Sequence, residues 1–278
     1  MAESLDVAAK VAVLVFVVTC MAGAGLGLAV RDLAAPLRNA RLVALSLVAN
    51  FAIAPAVAVA LTRLLPISEG HAIGLLLLGC AAGAPFLPKL VATAKGDAAF
   101  GIGLMLLLMA GSVAFLPFAL PALIPGASAE PWPILKPLLT TMLLPLAVGM
   151  VVRSRMPIRA MLLKRVMERM SNVAMLAAVV LLVGLNFEAI LGTFGSGAVA
   201  TGLVFVAICL AAGWLLGGPE SQRRSVLGLG TGQRNIAAAL LIATGQYADR
   251  PEVTAMLLVT TLAGAVLLLL AARWFARR

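Results

Sequence analysis

Residues 227–236 read Leu-Gly-Leu-Gly-Thr-Gly-Gln-Arg-Asn-Ile, which places three glycines, two amides and a guanidinium in the middle of an apolar segment. Glycine disfavours a helix interior by about 0.8–1 kcal/mol relative to alanine, and an arginine near a bilayer centre costs at least about 2.5 kcal/mol. A segment with both indicates an unwound helix and a buried cation. We therefore predict that Gly228, Gly230 and Gly232 break this helix and that Arg234 lies at the break.

The composition predicts an all-α membrane protein. Of 278 residues, 63% are hydrophobic and 12% are charged, whereas a soluble domain carries about 25% charged residues. Apolar runs of about 20 residues recur along the whole chain, and each can cross the ~30 Å hydrocarbon core as a helix. Most of the lysines and arginines fall in the short joints between these runs, so the net charge of +10 follows the positive-inside rule. No nucleic-acid partner is predicted.

Hydropathy and the charged joints predict nine transmembrane helices. The orientation that puts the Arg-rich joints, above all 153–168, on one side has the N-terminus outside and the C-terminus in the cytoplasm, as a multi-pass protein of the plasma membrane, or cell inner membrane. The predicted spans are 8–30, 42–64, 71–95, 98–124, 133–152, 169–187, 195–216, 224–246 and 253–273.

Two spans are interrupted, the third by Gly83, Pro85 and Pro88 and the eighth by the glycines of residues 227–236. They lie five spans apart and therefore cross in opposite directions, which is the arrangement of an inverted repeat. Secondary transporters use such pairs of discontinuous helices to build a binding site near the midplane. The alternative is that proline and glycine only kink these helices for packing.

Two cations lie at the breaks. Lys89 would stand near the positive end of a half-helix, where it needs an anion, unless its side chain snorkels to the inner surface. Arg234 has no acidic residue at its depth, so freed carbonyls, neighbouring amides, water or a bound anion must meet its charge. We predict a substrate site formed by Lys89, Arg234, Asn235, Thr231, Gln233 and Asn50.

Metal and catalytic sites are not predicted. Cys20, Cys80 and Cys209 lie within apolar runs without metal-ligand spacing, and His71 stands alone at a segment edge. Hydrolysis or group transfer needs a nucleophile with a base, paired acids or metal ligands. The chain is therefore predicted not to be an enzyme and to hold no cofactor.

Several motifs carry a resemblance to one transporter family. They are Gly25-Leu26-Gly27-Leu28, Asn50-Phe51 with Pro55, Leu78-Gly79-Cys80 leading to Gly96-Asp97, and Thr231-Gly232-Gln233-Arg234-Asn235. In layout they resemble the bile acid:sodium symporter family, whose Glu-Thr-Gly-x-Gln-Asn signature is similar to the last of them. The resemblance implies two crossed, broken helices and a core domain that moves against a panel domain. It places the panel at about 8–30, 133–152 and 169–187, and the core at about 42–124 and 195–273.

The chain departs from the family at the sodium ligands. Gly230 stands where sodium-coupled members carry Glu, and Arg234 stands where they carry Gln. Their Ser-Asn after the first break corresponds to Leu87-Pro88, and their hydroxyls in the next span fall near Gly101 and Met105. We therefore hypothesise that Lys89 and Arg234 replace the charge of bound sodium. A lysine in a low-dielectric site can also release its proton, so protons are a second candidate for coupling.

The predicted function is secondary transport of a small organic anion by alternating access, without the family's usual sodium coupling. One alternative keeps sodium-coupled symport of a bile-acid-like anion, and related folds carry arsenite or auxin-like anions. A non-transporting receptor or structural bundle is the alternative from another class. The predicted partners are the organic anion and the lipid bilayer, and the sequence leaves the oligomeric state open.

Overall fold

The structure is a computed structural model that describes residues 2–28, 39–124 and 130–277. Within these ranges the chain forms helices and no strand. Residues 31–38 of the predicted joint at 31–41 and most of the predicted joint at 125–132 lie outside the described residues. The helices are α1 (Ala2–Gly27), α2 (Ala40–Leu64), α3 (Glu69–Cys80), α4 (Leu87–Thr93), α5 (Ala98–Leu123), α6 (Trp132–Arg155), α7 (Pro157–Leu185), α8 (Phe187–Gly195), α9 (Ala198–Leu216), α10 (Ser221–Gly232), α11 (Ile236–Gln246) and α12 (Pro251–Phe275).

The all-α membrane class is confirmed. Eight segments of the described chain are long and apolar enough to cross a membrane, with α10 and α11 counted as one. The predicted third span is divided into α3, an apolar helix of 12 residues, and the short helix α4. Since α3 alone is too short to span a bilayer, the total of nine crossings and the inverted repeat stay predictions.

The sixth span differs from its predicted bounds of 169–187. Helix α7 begins at Pro157 and includes most of the basic joint, so that Met156 alone separates it from α6. Proline is favourable in the first turn of a helix, and the Met, Leu, Lys and Arg residues that follow are strong helix formers. The positive charges of the joint therefore lie on an extension of α7 rather than on a loop.

Helices α2 and α6 each contain a π-helical turn, at Ala49–Ile53 and Leu139–Leu143. A proline follows each turn, at Pro55 and Pro145. Proline has no N–H to donate, and its ring clashes with the carbonyl one turn earlier, so the helix widens there. The turn in α2 contains Asn50, whose side chain is fully buried. The wide turn thus carries an amide into the protein interior.

The helices form two groups. Helix α1 packs along both α6 and α7, whereas α9 packs against α10 and α12, and α3 packs against α2 and α12. The groups are linked by the contacts of α1 with α11 and of α5 with α6. As a proposal, we call α1, α6 and α7 the panel, and α2 to α5 with α9 to α12 the core.

Two glycines bring the backbones of α1 and α6 into contact within the panel. A Cβ atom on Gly25 would overlap the carbonyl oxygen of Leu146, and one on Gly149 would lie 2.6 Å from the carbonyl oxygen of Ala22. Both clashes are with backbone atoms, which cannot rotate away. The two helices can therefore keep this separation only with glycine at both positions.

We expect Gly25→Ala to destabilise the panel by about 1–3 kcal/mol, because the added methyl group must push α1 and α6 apart. Thermal unfolding of the purified protein in detergent measures the effect. Gly23→Ala is the matched control on the same helix, since its new Cβ would meet Met167 at an ordinary contact distance of 3.4 Å. Equal melting temperatures for the two variants would contradict the close approach.

Candidate functional site

The first break separates α3 from α4 at residues 81–86. Gly83 adopts a left-handed conformation with φ of 79°, and a Cβ atom there would overlap the backbone nitrogen of Met109 on α5. The Ser112 hydroxyl accepts a hydrogen bond from the Ala82 N–H at 2.8 Å and donates one to the Ala82 carbonyl at 3.0 Å. Helix α5 thus supplies partners for backbone groups that the unwound segment leaves without helical bonds.

The second break, residues 233–235, crosses the first one. The backbone N–H of Asn235 donates to the carbonyl of Ala81 at 2.9 Å, and its side-chain amide donates to the carbonyl of Gly83 at 3.2 Å. The side-chain oxygen of Asn235 accepts from the N–H of Ala238 and so caps α11. One residue therefore ties the two breaks together and starts the second half-helix. We call residues 81–86 and 233–235 the crossing.

Arg234 lies among four oxygens beside the crossing. Its Nε donates to the Leu78 carbonyl at 2.8 Å, and Nη2 donates to the Gly79 carbonyl at 2.6 Å. Its Nη1 donates to the Asn50 Oδ1 at 3.0 Å and to the Thr231 carbonyl at 3.1 Å. The side chain is 6% exposed. We call these four oxygens, which come from α2, α3 and α10, the oxygen cage.

The cage uses groups that an interrupted helix leaves free. Leu78 and Gly79 lie in the last turn of α3, where carbonyls run out of intrahelical donors and carry the negative end of the helix dipole. The Leu78 carbonyl also accepts from the Ala81 N–H at 3.2 Å. A cation is favourable there. The Asn50 amide is oriented by donating to the Ser46 carbonyl at 3.0 Å and to the Thr231 hydroxyl at 3.2 Å. The cage is therefore preformed around a positive charge, and the guanidinium supplies it.

The surroundings of Gly230, in α10 beside the crossing, are apolar. A Cβ atom on Gly230 would lie 3.1 Å from the Leu104 side chain and 3.2 Å from the Leu87 side chain. Leu87, Leu104 and Met105 are all at most 2% exposed. Leucine side chains thus fill the space around the residues that the family resemblance aligns with sodium ligands.

Lys89 lies apart from the cage. It is exposed on α4, and its ammonium stands 5.6 Å from the centroid of the Phe86 ring. Lys89 therefore lies on the exposed face of a core helix, whereas the cage is buried.

Gln233, in the second break, has unused hydrogen-bonding capacity. Its Oε1 is buried and has no hydrogen-bond partner among the residues that the structure describes. A buried carbonyl oxygen without a donor costs about 1–3 kcal/mol. A ligand hydroxyl or N–H group would satisfy it.

The structure brings together Arg234, Asn235, Thr231 and Asn50, but it separates Lys89 from them. Gly83 and Pro85 lie in the first break, and Pro88 lies in the first turn of α4. Gly232 ends α10, whereas Gly228 and Gly230, which the sequence places at the break, lie inside α10.

Gly228 and Gly230 are explained by packing rather than by helix breaking. A Cβ atom on Gly228 would lie 3.1 Å from the Leu210 carbonyl oxygen on α9, and Gly230 packs against two leucine side chains. Sequence reasoning missed the role of Ser112. The signal for Ser112 is a lone hydroxyl in the apolar interior of α5.

We expect Gly83→Ala to destabilise the protein more than Gly218→Ala. Both glycines have a φ near +80°, so each alanine pays about 1–2 kcal/mol for the left-handed conformation. Only Gly83 also meets backbone atoms, since nothing lies within 4 Å of a Cβ atom on Gly218. Thermal unfolding in detergent measures the difference, and equal losses would contradict the tight contact with α5.

The comparison with known proteins identifies the family. No curated protein sequence matches the chain. The profile of the Sodium Bile acid symporter family matches residues 13–193, a range that includes the first break and ends before the second. The resemblance predicted from the motifs is confirmed. Since the match covers more than half of a chain with multiple apolar helices, the protein belongs to the sodium/bile acid symporter family of membrane transporters.

Proposed function

We propose that the protein is a secondary transporter that carries a small organic anion by alternating access, without sodium at the positions its family normally uses. The observation that carries this proposal is the guanidinium of Arg234 inside the oxygen cage. Relative motion of the core against the panel would expose the substrate to each side in turn.

The contacts of Arg234 support transport without sodium, because its guanidinium occupies the oxygen ligands that a sodium ion would need. A hard cation binds several oxygens, typically carbonyls, amide oxygens and carboxylates. Here two carbonyls of α3, one of α10 and the Asn50 amide oxygen already accept hydrogen bonds from the guanidinium. The positive charge at the crossing is thus covalently fixed, and it does not depend on the ionic gradient.

The apolar position supports the same conclusion independently. Gly230 supplies no carboxylate, and the side chains beside it are those of Leu87 and Leu104. An ion transferred to such a site loses its hydration without gaining ligands, which costs several kcal/mol or more. Neither position that resembles a family sodium site therefore offers a credible set of vacant ligands.

For the substrate, we propose contacts with Lys89 and Gln233. Arg234, with its donors on four protein oxygens, acts in this proposal as a resident cation rather than as a direct substrate ligand. Asn50 and Thr231 accept its hydrogen bonds, and Asn235 ties the two breaks together. Lys89 is exposed on α4, where an ammonium would attract a carboxylate. The unpaired oxygen of Gln233 would accept a hydrogen bond from a substrate hydroxyl or amide.

We also propose a plasma-membrane location with the N-terminus outside. The support is the position of the basic residues around the junction of α6 and α7: Arg153, Arg155, Arg159, Lys164, Arg165 and Arg169. Clusters of this kind mark cytoplasmic joints. Protease protection of sealed vesicles with a tag at either terminus would test the orientation.

Sodium independence is tested by replacing sodium with choline. Purified protein is first screened by thermal shift for stabilising carboxylates, from cholate to short-chain keto acids. Uptake of the most stabilising carboxylate into proteoliposomes is then measured in sodium or choline buffer of equal ionic strength. We expect equal uptake in both buffers, because Arg234 supplies the charge. A strict sodium requirement would contradict the proposal and favour sodium-coupled symport.

A proton gradient imposed on the same proteoliposomes tests the second coupling candidate. Failure of every stabilising carboxylate to cross the membrane under any gradient would favour the alternative of a non-transporting receptor. Sodium-independent transport, sodium-coupled symport and a non-transporting receptor therefore give three different results in one preparation.

A further inference from the structure

A groove with a volume of about 580 Å³ opens on the outside of the core, between α2 and α5. Its floor is formed by Phe51 and Phe115, whose ring centroids are 5.1 Å apart. Ala52, Ala56 and Ala60 lie four residues apart and so share one face of α2. All three are exposed, and their small side chains leave a channel along the helix.

The length of the groove matches one leaflet of a bilayer. From Phe51 to Arg63 the helix rises about 18 Å, slightly more than half of the ~30 Å hydrocarbon core. The lining is apolar except at one end, where Arg63 lies in the last turn of α2. A channel of this length, apolar to its end, is suited to a hydrocarbon chain.

Arg63 defines the chemistry at the mouth of the groove. It is exposed, and its side chain forms no ion pair or hydrogen bond with any residue that the structure describes. An arginine near a helix end extends its guanidinium to the level of the lipid headgroups. The planar guanidinium can form two parallel hydrogen bonds with a phosphate. The free cation therefore complements a phosphate group.

We propose that this groove is a binding site for an anionic phospholipid, with an acyl chain on the Phe51–Phe115 floor and the headgroup phosphate on Arg63. The site is distinct from the crossing and does not depend on which anion the protein transports. It takes its ligand from the leaflet at the C-terminal end of α2.

The floor of the groove is adjacent in sequence to residues that contact the crossing. Phe51 follows Asn50, the cage amide, in the same π-helical turn. The Phe51 ring also covers Gly111, where a Cβ atom would lie 2.7 Å from the ring, and Gly111 precedes Ser112. A lipid that orders the floor would therefore affect both Asn50, which contacts Arg234, and Ser112, which contacts Ala82.

The test compares two phospholipids with identical acyl chains, phosphatidylglycerol and phosphatidylcholine, binding to the full-length protein. Native mass spectrometry counts the bound lipids, and thermal shift measures stabilisation. The variants are Arg63→Gln, which removes the cation, and Ala56→Trp, which fills the channel from an exposed position. Arg273→Gln is the matched control, because Arg273 is an exposed arginine in the last turn of α12 and does not line the groove.

We expect the wild type to bind phosphatidylglycerol about fivefold more tightly than phosphatidylcholine, the effect of one cation near an anionic surface. Arg63→Gln should lose this preference, Ala56→Trp should bind both lipids more weakly, and Arg273→Gln should match the wild type. Equal binding of the two lipids by the wild type would overturn the proposal. A preference that survives Arg63→Gln would also overturn it. So would an Ala56→Trp variant that binds both lipids as tightly as the wild type, whether or not its oligomeric state changes.

Discussion

Arg234→Gln is expected to lose several kcal/mol of stability, because the shorter amide cannot reach all four oxygens of the cage. At least two buried acceptors would lose their donors, and each such loss costs about 1–3 kcal/mol. Thermal unfolding in detergent measures the change, with choline chloride as the only salt.

The same variant is expected to gain a response to sodium. Glutamine is the residue that the family resemblance places at this position in sodium-coupled members, and its amide oxygen would join a cage whose other oxygens have become vacant. Exchanging choline chloride for sodium chloride at constant ionic strength should therefore raise the melting temperature of Arg234→Gln. The wild type should not respond, because its guanidinium already fills the site.

Arg223→Gln, on α10, is the matched control for the loss of one positive charge. Arg223 is a surface residue that pairs with Glu220 at 3.2 Å and with Asp97 at 3.8 Å, and surface pairs contribute about 0–1 kcal/mol. Its loss should be small and insensitive to sodium. A loss in Arg234→Gln as small as in this control would show that the cage does not depend on its cation. A wild type stabilised specifically by sodium would show that a site remains vacant.

The sequence predicts the burial of Arg234 but not its partners. The apolar length of the span shows that the guanidinium lies deep, and the scarcity of acids shows that neutral oxygens must meet it. Which oxygens these are depends on the register of two chain segments about 150 residues apart. No local pattern encodes that register. It follows from backbone contacts such as that of Asn235 N–H with the Ala81 carbonyl.

The sequence also does not predict the roles of individual glycines or the surroundings of Lys89. Glycine both breaks helices and allows close packing, and composition alone cannot distinguish the two roles. Position 83 needs glycine because its backbone is left-handed, whereas position 228 favours glycine because the Leu210 carbonyl of α9 lies close to it. Similarly, the position of Lys89 next to the vacated ligand pair gives its place along the chain, but the rotation of α4 decides where its side chain lies. In the structure Lys89 is exposed on α4, whereas the groups of the cage are buried.

Lys89→Gln is expected to weaken anion binding rather than stability, because Lys89 lies apart from the buried Arg234. Lys89 is exposed, so its replacement leaves no buried group unpaired and the melting temperature without ligand should change little. A charge-assisted hydrogen bond to a carboxylate is worth about 1.5–3 kcal/mol. The apparent affinity for the stabilising carboxylate should therefore fall by about 10- to 100-fold.

Lys95→Gln is the control that separates a specific contact from general attraction. Lys95 is also exposed, lies six residues further along the chain, and follows α4 in the turn before α5. Titration of cholate and of a short-chain keto acid against wild type, Lys89→Gln and Lys95→Gln by thermal shift gives three affinities for each anion. Equal losses in the two variants would indicate long-range attraction only, and no loss in either would place the anion away from α4. A loss confined to Lys89→Gln would mean that the resident cation and the substrate cation are different residues, because Arg234 keeps the crossing intact in both variants.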